Sequence, residues 1–519
     1  MNLKMFKNID KHTFLAFLSG ILVIFIFPNF NLSFLAWIAL VPLLIALDGK
    51  TAWRSFRLGF LTGIVSFSGI LYWIITTIIA DGESPIFGIL ALLALSAVLA
   101  VFYGVFCAGY NLWKKKSTGS FITDAFFAAA LWVVVEWARS VAFSGFPWAL
   151  LGYSQWQNLS VIQISEFTAV YGVSFLIMFV NAVFKDTVVS SLKARRFNGY
   201  SRIAVILFVI ILNAVYGSIR SAFYMNDGSN GYVNVAILQG NIDQYMKWDD
   251  TYESLIYNSY GSLVDDVMKT KNKPDIIVWP ETSVPGYLRL ESRVSEWVSS
   301  LAKKSGAYQI IGSAEYEGKK YYNSAFLIAP DGNIIERYDK LHLVPVGEYL
   351  PFRNIIEKVV PAIKELGDFT PGQGYKRFNT PYGTVSAVIC YESIFPDLTR
   401  RIIGKESDFL VNITNDAWYL KTAALSQHFS MNVFRAVENR ISIVRAANTG
   451  ISGFIGKNGK VEKETGIGIR TFLSGKVIRR NGKTTFYGKY GDVFVLVCGL
   501  FVIFAGFITT YKLPKKEVK

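Results

Sequence analysis

GTVSAVICYE, Gly383 to Glu392, is an apolar run rich in β-branched residues that ends on a thiol, an aromatic ring and a carboxylate. Apolar residues fill it with little alternation, which predicts a strand covered on both faces. The same texture recurs in DFLVNITND (Asp408 to Asp416), VNVAILQGN (Val233 to Asn241), DIIVWPE (Asp275 to Glu281), YQIIGSAE (Tyr308 to Glu315) and SAFLIAP (Ser324 to Pro330). Turn signals punctuate these runs at Asp331-Gly332, Asn458-Gly459 and Asn481-Gly482. Helical patterning occupies 251–270, 291–304 and 424–446. Residues 220–488 therefore read as one α/β domain.

The flanking sequence is of another kind. Apolar runs occupy 13–28, 33–48, 58–80, 86–112, 122–145, 165–184, 203–219 and 491–511, each near the ~20 residues a helix needs to cross a bilayer. Eight spans are expected: seven in a membrane domain, 1–219, and an eighth in 489–519, ahead of a basic tail of Lys512, Lys515, Lys516 and Lys519. Lys4, Lys7 and Lys11 before the first run resemble a secretory leader, but a second apolar run follows at once, so retention as a span is favoured. Basic loops at Lys50, Arg54 and Arg57, at Lys114 to Lys116 and at Lys185 to Arg202 alternate with 29–32, 81–85 and 146–164, which lack Lys and Arg. Basic loops stay cytoplasmic, which places 220–488 outside the cytoplasm.

Composition agrees. The chain has 519 residues, 52% of them hydrophobic, with mean hydropathy +0.34, above the usual soluble range. The formal charge of +15 lies largely in the short loops and is read as topological, with no nucleic-acid partner expected. Cys107 and Cys498 fall inside apolar runs, and His12, His342 and His428 have no zinc-site spacing, so neither a disulfide framework nor a metal is expected.

Three residues carry chemistry in combination. Glu281 ends an apolar strand in VWPETSVP, where Pro280 stops pairing. Lys340 stands about 60 residues on in ERYDKLHLVPVGEYLP, and Cys390 about 50 residues beyond it. Alone, Glu281 reads as a solvated loop acid, Lys340 as a surface charge and Cys390 as a buried inert thiol. An unpaired thiol in an extracytoplasmic domain is an oxidation liability unless shielded or used, which moves Cys390 toward a nucleophile.

The order and spacing of the three resemble the nitrilase superfamily, whose members carry a Glu-Lys-Cys triad on an αββα sandwich. The resemblance covers about 230–475. Over the whole chain the sequence is similar to the apolipoprotein N-acyltransferase branch, through GFPW (Gly145 to Trp148), GYSQ (Gly152 to Gln155), QGN with the later Lys247-Trp248, WPE, KLHLVPVGEYLP, CYE and NDAW (Asn415 to Trp418). Val346, Leu420 and the ANTG run at Ala447 to Gly450 depart from the branch's pattern, which bears on pocket shape more than on the triad.

The resemblance implies Glu281 as general base, Lys340 as catalytic lysine and Cys390 as nucleophile, with Glu348, Glu392 and Tyr391 supporting them. It implies a phospholipid acyl donor, an acceptor that is the α-amine of a diacylglyceryl-cysteine on a lipoprotein, no cofactor, a monomer, and the bacterial cytoplasmic (inner) membrane as location. Trp248, Trp418 and Trp148 are candidates for lining the substrate path, although buried aromatics more often fill a core. Glu136 and Arg139, at i and i+3 on one span, read as a structural pair or a headgroup contact. Two other readings stay open: a membrane-anchored amidase with water as acceptor, and a transporter with an outer binding domain.

Overall fold

The computed structural model describes residues 10–511 apart from 81, 118–119, 226–230, 244–245, 247–249, 351–352, 354–367 and 481. Lys4, Lys7, Lys247, Trp248, Asn481 and the tail from Lys512 to Lys519 thus lie outside the described residues. The chain forms two compact units, one of 1–220 with 422–427 and 490–519, the other of 221–421 with 428–489.

In the first unit, four helices among the described residues are long and apolar enough to cross a membrane: Pro85–Lys116, Phe121–Val141, Val170–Ala194 and Tyr200–Met225. A fifth is made if Ala52–Ile70 and Trp73–Ala80, bent by 49° at their break, count as one span. Among the described residues the other apolar runs form shorter helices, Lys11–Phe25, Ser33–Ala46 and Val493–Ile508, so the expected eight full-length spans are not confirmed. Proline contributes to the shortening, because Pro28 follows the first helix and Pro42 opens a new turn within the second. Helices Ala52–Ile70 and Pro85–Lys116 approach closely through small residues. A Cβ on Gly59 would lie 2.5 Å from the Tyr103 carbonyl, and one on Gly63 2.7 Å from Ala100 Cα.

Polar groups buried in this unit are tied to its loops. Arg139 donates to the carbonyls of Phe146 (3.0 Å) and Trp148 (2.8 Å), and Glu136 accepts from the Leu151 N–H at 2.7 Å. The two side chains thus brace the 146–151 loop. Gln427, which groups with this unit, accepts from the indole N–H groups of Trp148 (2.8 Å) and Trp73 (3.2 Å) and donates to the carbonyls of Pro28 and Ile70.

The second unit stacks two six-stranded sheets. The strands are β1 (Tyr232–Gln239), β2 (Ile276–Val278), β3 (Tyr308–Glu317), β4 (Lys320–Ile328), β5 (Ile334–Asp339), β6 (Arg377–Thr380), β7 (Gly383–Ile389), β8 (Phe409–Thr414), β9 (Ser442–Ala447), β10 (Gly453–Ile455), β11 (Val461–Glu464) and β12 (Thr471–Ile478). One sheet has the order β12-β1-β2-β3-β4-β5 and the other β11-β10-β9-β8-β7-β6. β1, β2 and β3 run parallel, as do β7, β8 and β9. Every residue of β8 and β9 is buried, as continuous apolar strands require when both faces are covered. Helices Glu253–Met268 and Ser292–Ser305 pack Tyr260, Leu263, Val298 and Leu301 on Ile277, Ile311 and Phe326 of the first sheet. Helix Pro396–Ile403 packs on β7 of the second, which gives an αββα sandwich.

One expected boundary is corrected. The helix read over 424–446 ends at Asn439, and Ser442–Ala447 forms β9 in the middle of its sheet. Arg440 takes a left-handed φ of 46° that turns the chain, and the β-branched Ile441, Ile443 and Val444 suit the strand that follows.

Candidate active site

The central parallel strands deliver chemistry at their C-terminal ends, the usual place in α/β sheets. Glu281 lies just past β2, Cys390 immediately past β7, and Asn415 and Asp416 just past β8. Glu281 is brought in by a close approach of β3, where a Cβ on Gly312 would lie 2.5 Å from the Pro280 carbonyl and 2.6 Å from Glu281 Cα. Cys390 opens a 3-10 turn with a φ of 51°, a conformation that L-residues seldom adopt and that only surrounding structure maintains.

Lys340 follows β5, is buried, and lies between two carboxylates: Nζ is 2.8 Å from Glu348 Oε1 and 3.5 Å from Glu281 Oε1. Burial alone would lower its pKa, but Glu348 and then Glu281 hold the ammonium well above its usual range. Asn323 on β4 donates through Nδ2 to Glu281 Oε1 at 2.7 Å and to Glu348 Oε1 at 2.9 Å. The other oxygens are fixed by backbone: Glu281 Oε2 accepts from the Asn415 N–H and Glu348 Oε2 from the Val344 N–H.

Cys390 is 8% exposed. Burial and the Glu281 charge push its thiol up, while Lys340 opposes them, so the resting group is S–H. Glu392 accepts at Oε1 from the Tyr338 hydroxyl (2.8 Å) and the N–H groups of Leu341 (2.6 Å) and His342 (3.2 Å), and at Oε2 from the Ile389 N–H (2.7 Å). It thereby ties the residue after Lys340 to the residue before Cys390. Burial pushes its pKa up to about 7 against those donors. Tyr391 is buried beside Phe395, and Trp418 lies on a 3-10 turn, 42% exposed.

A second buried cluster, unread in the sequence, lies behind Cys390. Asp416 contacts His428 Nδ1 at 3.0 Å and Arg445 Nη2 at 2.7 Å, while His428 Nε2 lies 3.2 Å from the Cys390 carbonyl. Burial would raise the Asp416 pKa, but Arg445 and His428 hold it well below the usual carboxylate range. Donor atoms of Cys390, Asp416 and His428 lie within 4.8 Å of one another. A cation there would meet the Arg445 guanidinium, so the charges describe an ion pair better than a metal centre.

The structure thus gathers Glu281, Lys340, Glu348, Cys390, Tyr391 and Glu392 in the second unit and places Trp148, Glu136 and Arg139 in the first. Asn323 and Arg445 carry no signal in the sequence because each is an ordinary polar residue until its tertiary partners are known, and His428 reads there only as a histidine without zinc-site spacing. Asp416 stood inside the quoted NDAW, the one available signal.

Residues 19–183 match the Apolipoprotein N-acyltransferase N-terminal domain, and residues 234–489 match the Carbon-nitrogen hydrolase family. The apolipoprotein N-acyltransferase of Geobacter metallireducens is 38% identical over 501 residues, which cover 95% of this chain and 94% of that one. The chain belongs to the apolipoprotein N-acyltransferase family. Family members from Allorhizobium ampelinum (32% identical, 83% of this chain and 82% of that one) and Brucella suis (30%, 86% of each) are also similar. Among solved structures, Saccharomyces cerevisiae Nit3 is 18% identical with a TM-score of 0.38, covering 56% of this chain and 97% of that one. For an apolipoprotein N-acyltransferase family member, the carbon-nitrogen hydrolase match accounts for the αββα unit and the N-terminal match for the apolar helices within residues 19–183.

Proposed function

We propose that the chain moves an acyl group from a membrane phospholipid, through a thioester on Cys390, to the free α-amine of the N-terminal diacylglyceryl-cysteine of a lipoprotein. The observation that carries this reading is the Lys340 ammonium held between Glu281 and Glu348, with the charges of both Glu281 and Lys340 reaching the Cys390 thiol. A thiol pushed up by burial needs a base at the moment of attack, and Glu281 is that base. Its carboxylate takes the proton as Sγ adds to the ester carbonyl, and Lys340 stabilises the oxyanion. Collapse breaks the ester C–O bond, the leaving lysophospholipid oxygen takes the proton from Glu281, and the acyl group remains on sulfur. In the second half the acceptor amine attacks the thioester, loses a proton to Glu281, and expels the Cys390 thiolate, which that proton restores to S–H. Conversion of thioester to amide is downhill, so no nucleotide is consumed.

The lipid substrates give the apolar helices a purpose beyond anchoring. The loop charges support a catalytic unit on the outer side of the membrane. Mass spectrometry of lipoprotein N-termini tests the reading in cells whose sole copy is either this chain or its Cys390→Ala variant. N-acylated termini with the first and free amines with the second are expected. Acylated termini in both would sink it, and hydrolysis of a small amide without lipid modification would make the chain an amidase.

A further inference from the structure

We propose that Asn448 is a positioning residue that fixes the Thr414–Asn415 peptide, and through the N–H of that peptide the angle at which Glu281 faces Cys390. The inference deepens the proposed acyl transfer and rests on the reading of Glu281 as its base.

Asn448 immediately follows β9, is fully buried in the second unit, and opens a segment that carries the chain past the end of β8. Gly450 allows that passage, since a Cβ there would collide with Asp416 Oδ2. Beyond β1 the chain takes a left-handed φ of 52° at Asn241, and the buried Ile242 lies outside any strand. Buried backbone groups need partners where a ladder stops. Asn448 supplies them: its Oδ1 accepts from the Ile242 N–H at 3.0 Å, its Nδ2 donates to the Ile242 carbonyl at 2.7 Å, and its own carbonyl accepts from the Asn241 N–H at 2.9 Å. The amide does what a neighbouring strand does, giving one bond to a single residue and taking one from it. Aspartate lacks the donor, and leucine lacks both groups.

Two further bonds run to the chain beside the base. The second Nδ2 hydrogen meets Asn415 Oδ1 at 3.0 Å, and the Asn448 N–H donates to the Thr414 carbonyl at 3.1 Å. That carbonyl belongs to the same peptide group as the Asn415 N–H, which donates to Glu281 Oε2 at 2.7 Å. A peptide group is planar, so a hold on its carbonyl is a hold on the direction of its N–H. Hydrogen bonding at the oxygen also strengthens the N–H as a donor. Asn448 thus grips Asn415 at main chain and side chain together, while its bonds to Ile242 anchor Asn448 itself. A clamp that only tied the chain after β1 would be served by the Ile242 bonds alone; the two toward Asn415 lead to the carboxylate of Glu281.

Single-turnover acylation of Cys390 by a p-nitrophenyl fatty acyl ester in micelles tests this, read as the burst of p-nitrophenolate from the full-length, detergent-solubilised chain. Sγ bonds to the acyl carbon, the thiol proton passes to Glu281, and the phenolate leaves without needing a proton. The burst therefore reports the base and stays measurable when Glu281 is replaced. Asn448→Ala is expected to lower the maximal rate by about tenfold to a hundredfold at an unchanged half-saturating ester concentration. In a Glu281→Gln background the same substitution is expected to change the residual rate by less than about twofold, because no base is left for it to orient. The same factor in both backgrounds, or no loss in the first, would overturn the proposal, since a loosened fold slows both alike. Asn448→Asp is nearly isosteric and carries the test if Asn448→Ala does not accumulate. A Glu281→Gln chain that reacts as fast as the wild type would instead refute the reading of Glu281 as base.

Discussion

Replacing Glu392 by glutamine changes one oxygen for an NH2 group at a carboxylate that meets donors on both sides. Three of them converge on Oε1, from Tyr338, Leu341 and His342, and one, the Ile389 N–H, meets Oε2 at 2.7 Å. The amide does best to keep its carbonyl at the Oε1 position, which sets its NH2 against the Ile389 N–H. At pH 6 the native carboxyl is mostly neutral, so this loses one ordinary bond, about 0.5–1.5 kcal/mol, and leaves two buried donors facing each other at about 1–3 kcal/mol. A net destabilisation of about 3 kcal/mol is expected at pH 6. The sign of its pH dependence follows from a folded carboxyl raised from 4.5 to about 7. The native state holds a proton that the unfolded chain releases, so wild-type stability falls as pH rises through that window and the glutamine variant's deficit narrows. Because the clamp joins the residues flanking Lys340 and Cys390, acylation should slow by about tenfold to a hundredfold. Thermal unfolding of the detergent-solubilised protein and single-turnover acylation measure the two effects. A variant within about 0.5 kcal/mol and threefold of wild type would refute the clamp.

Other perturbations separate the roles of the buried charges. Lys340→Met removes the cation between two carboxylates and should cut Cys390 acylation by at least about a hundredfold, read by the same single-turnover assay. Asp416→Asn leaves Arg445 uncompensated at a fully buried site and should cost about 3–5 kcal/mol in thermal unfolding. Because Arg445 and His428 hold the Asp416 carboxyl low despite burial, its contribution is present above the usual 3.8 and is lost as pH falls below it, so the variant's deficit should shrink in acid. Gln427→Leu removes bonds to Trp73, Trp148, Pro28 and Ile70 and should lower stability by about 2–4 kcal/mol; an unchanged melting temperature would contradict that anchoring role.

What the sequence made legible follows the reach of each signal. β7 and β8 were readable because an apolar run with turn chemistry at its ends has few alternatives, and the thiol at the end of β7 marked a strand's C-terminal edge. The segment after Asn439 misled because a helix's apolar face and a fully buried strand share a composition; the turn at Arg440 depends on a backbone angle that the sequence does not announce. The short pieces Lys11–Phe25 and Ser33–Ala46 show the same limit in the apolar part, where hydropathy reports burial but not helix length. Asn323 lies one residue before the strand read as SAFLIAP, and its role exists only because β4 passes beside the residues that follow β2 and β5. Glu136 and Arg139 were legible as charges inside an apolar run, and Trp148 through the GFPW element. Their bonds to the 146–151 loop and to Gln427 required the folded chain.

The most direct test of the central claim is peptide mass spectrometry of Cys390 after the purified protein is mixed with phosphatidylethanolamine and no acceptor. A thioester adduct with the mass of the donor's fatty acyl chain is expected on Cys390, discharged by a diacylglyceryl-cysteine peptide that gains the same mass on its α-amine. An unmodified Cys390 in protein that still acylates the peptide would contradict the account.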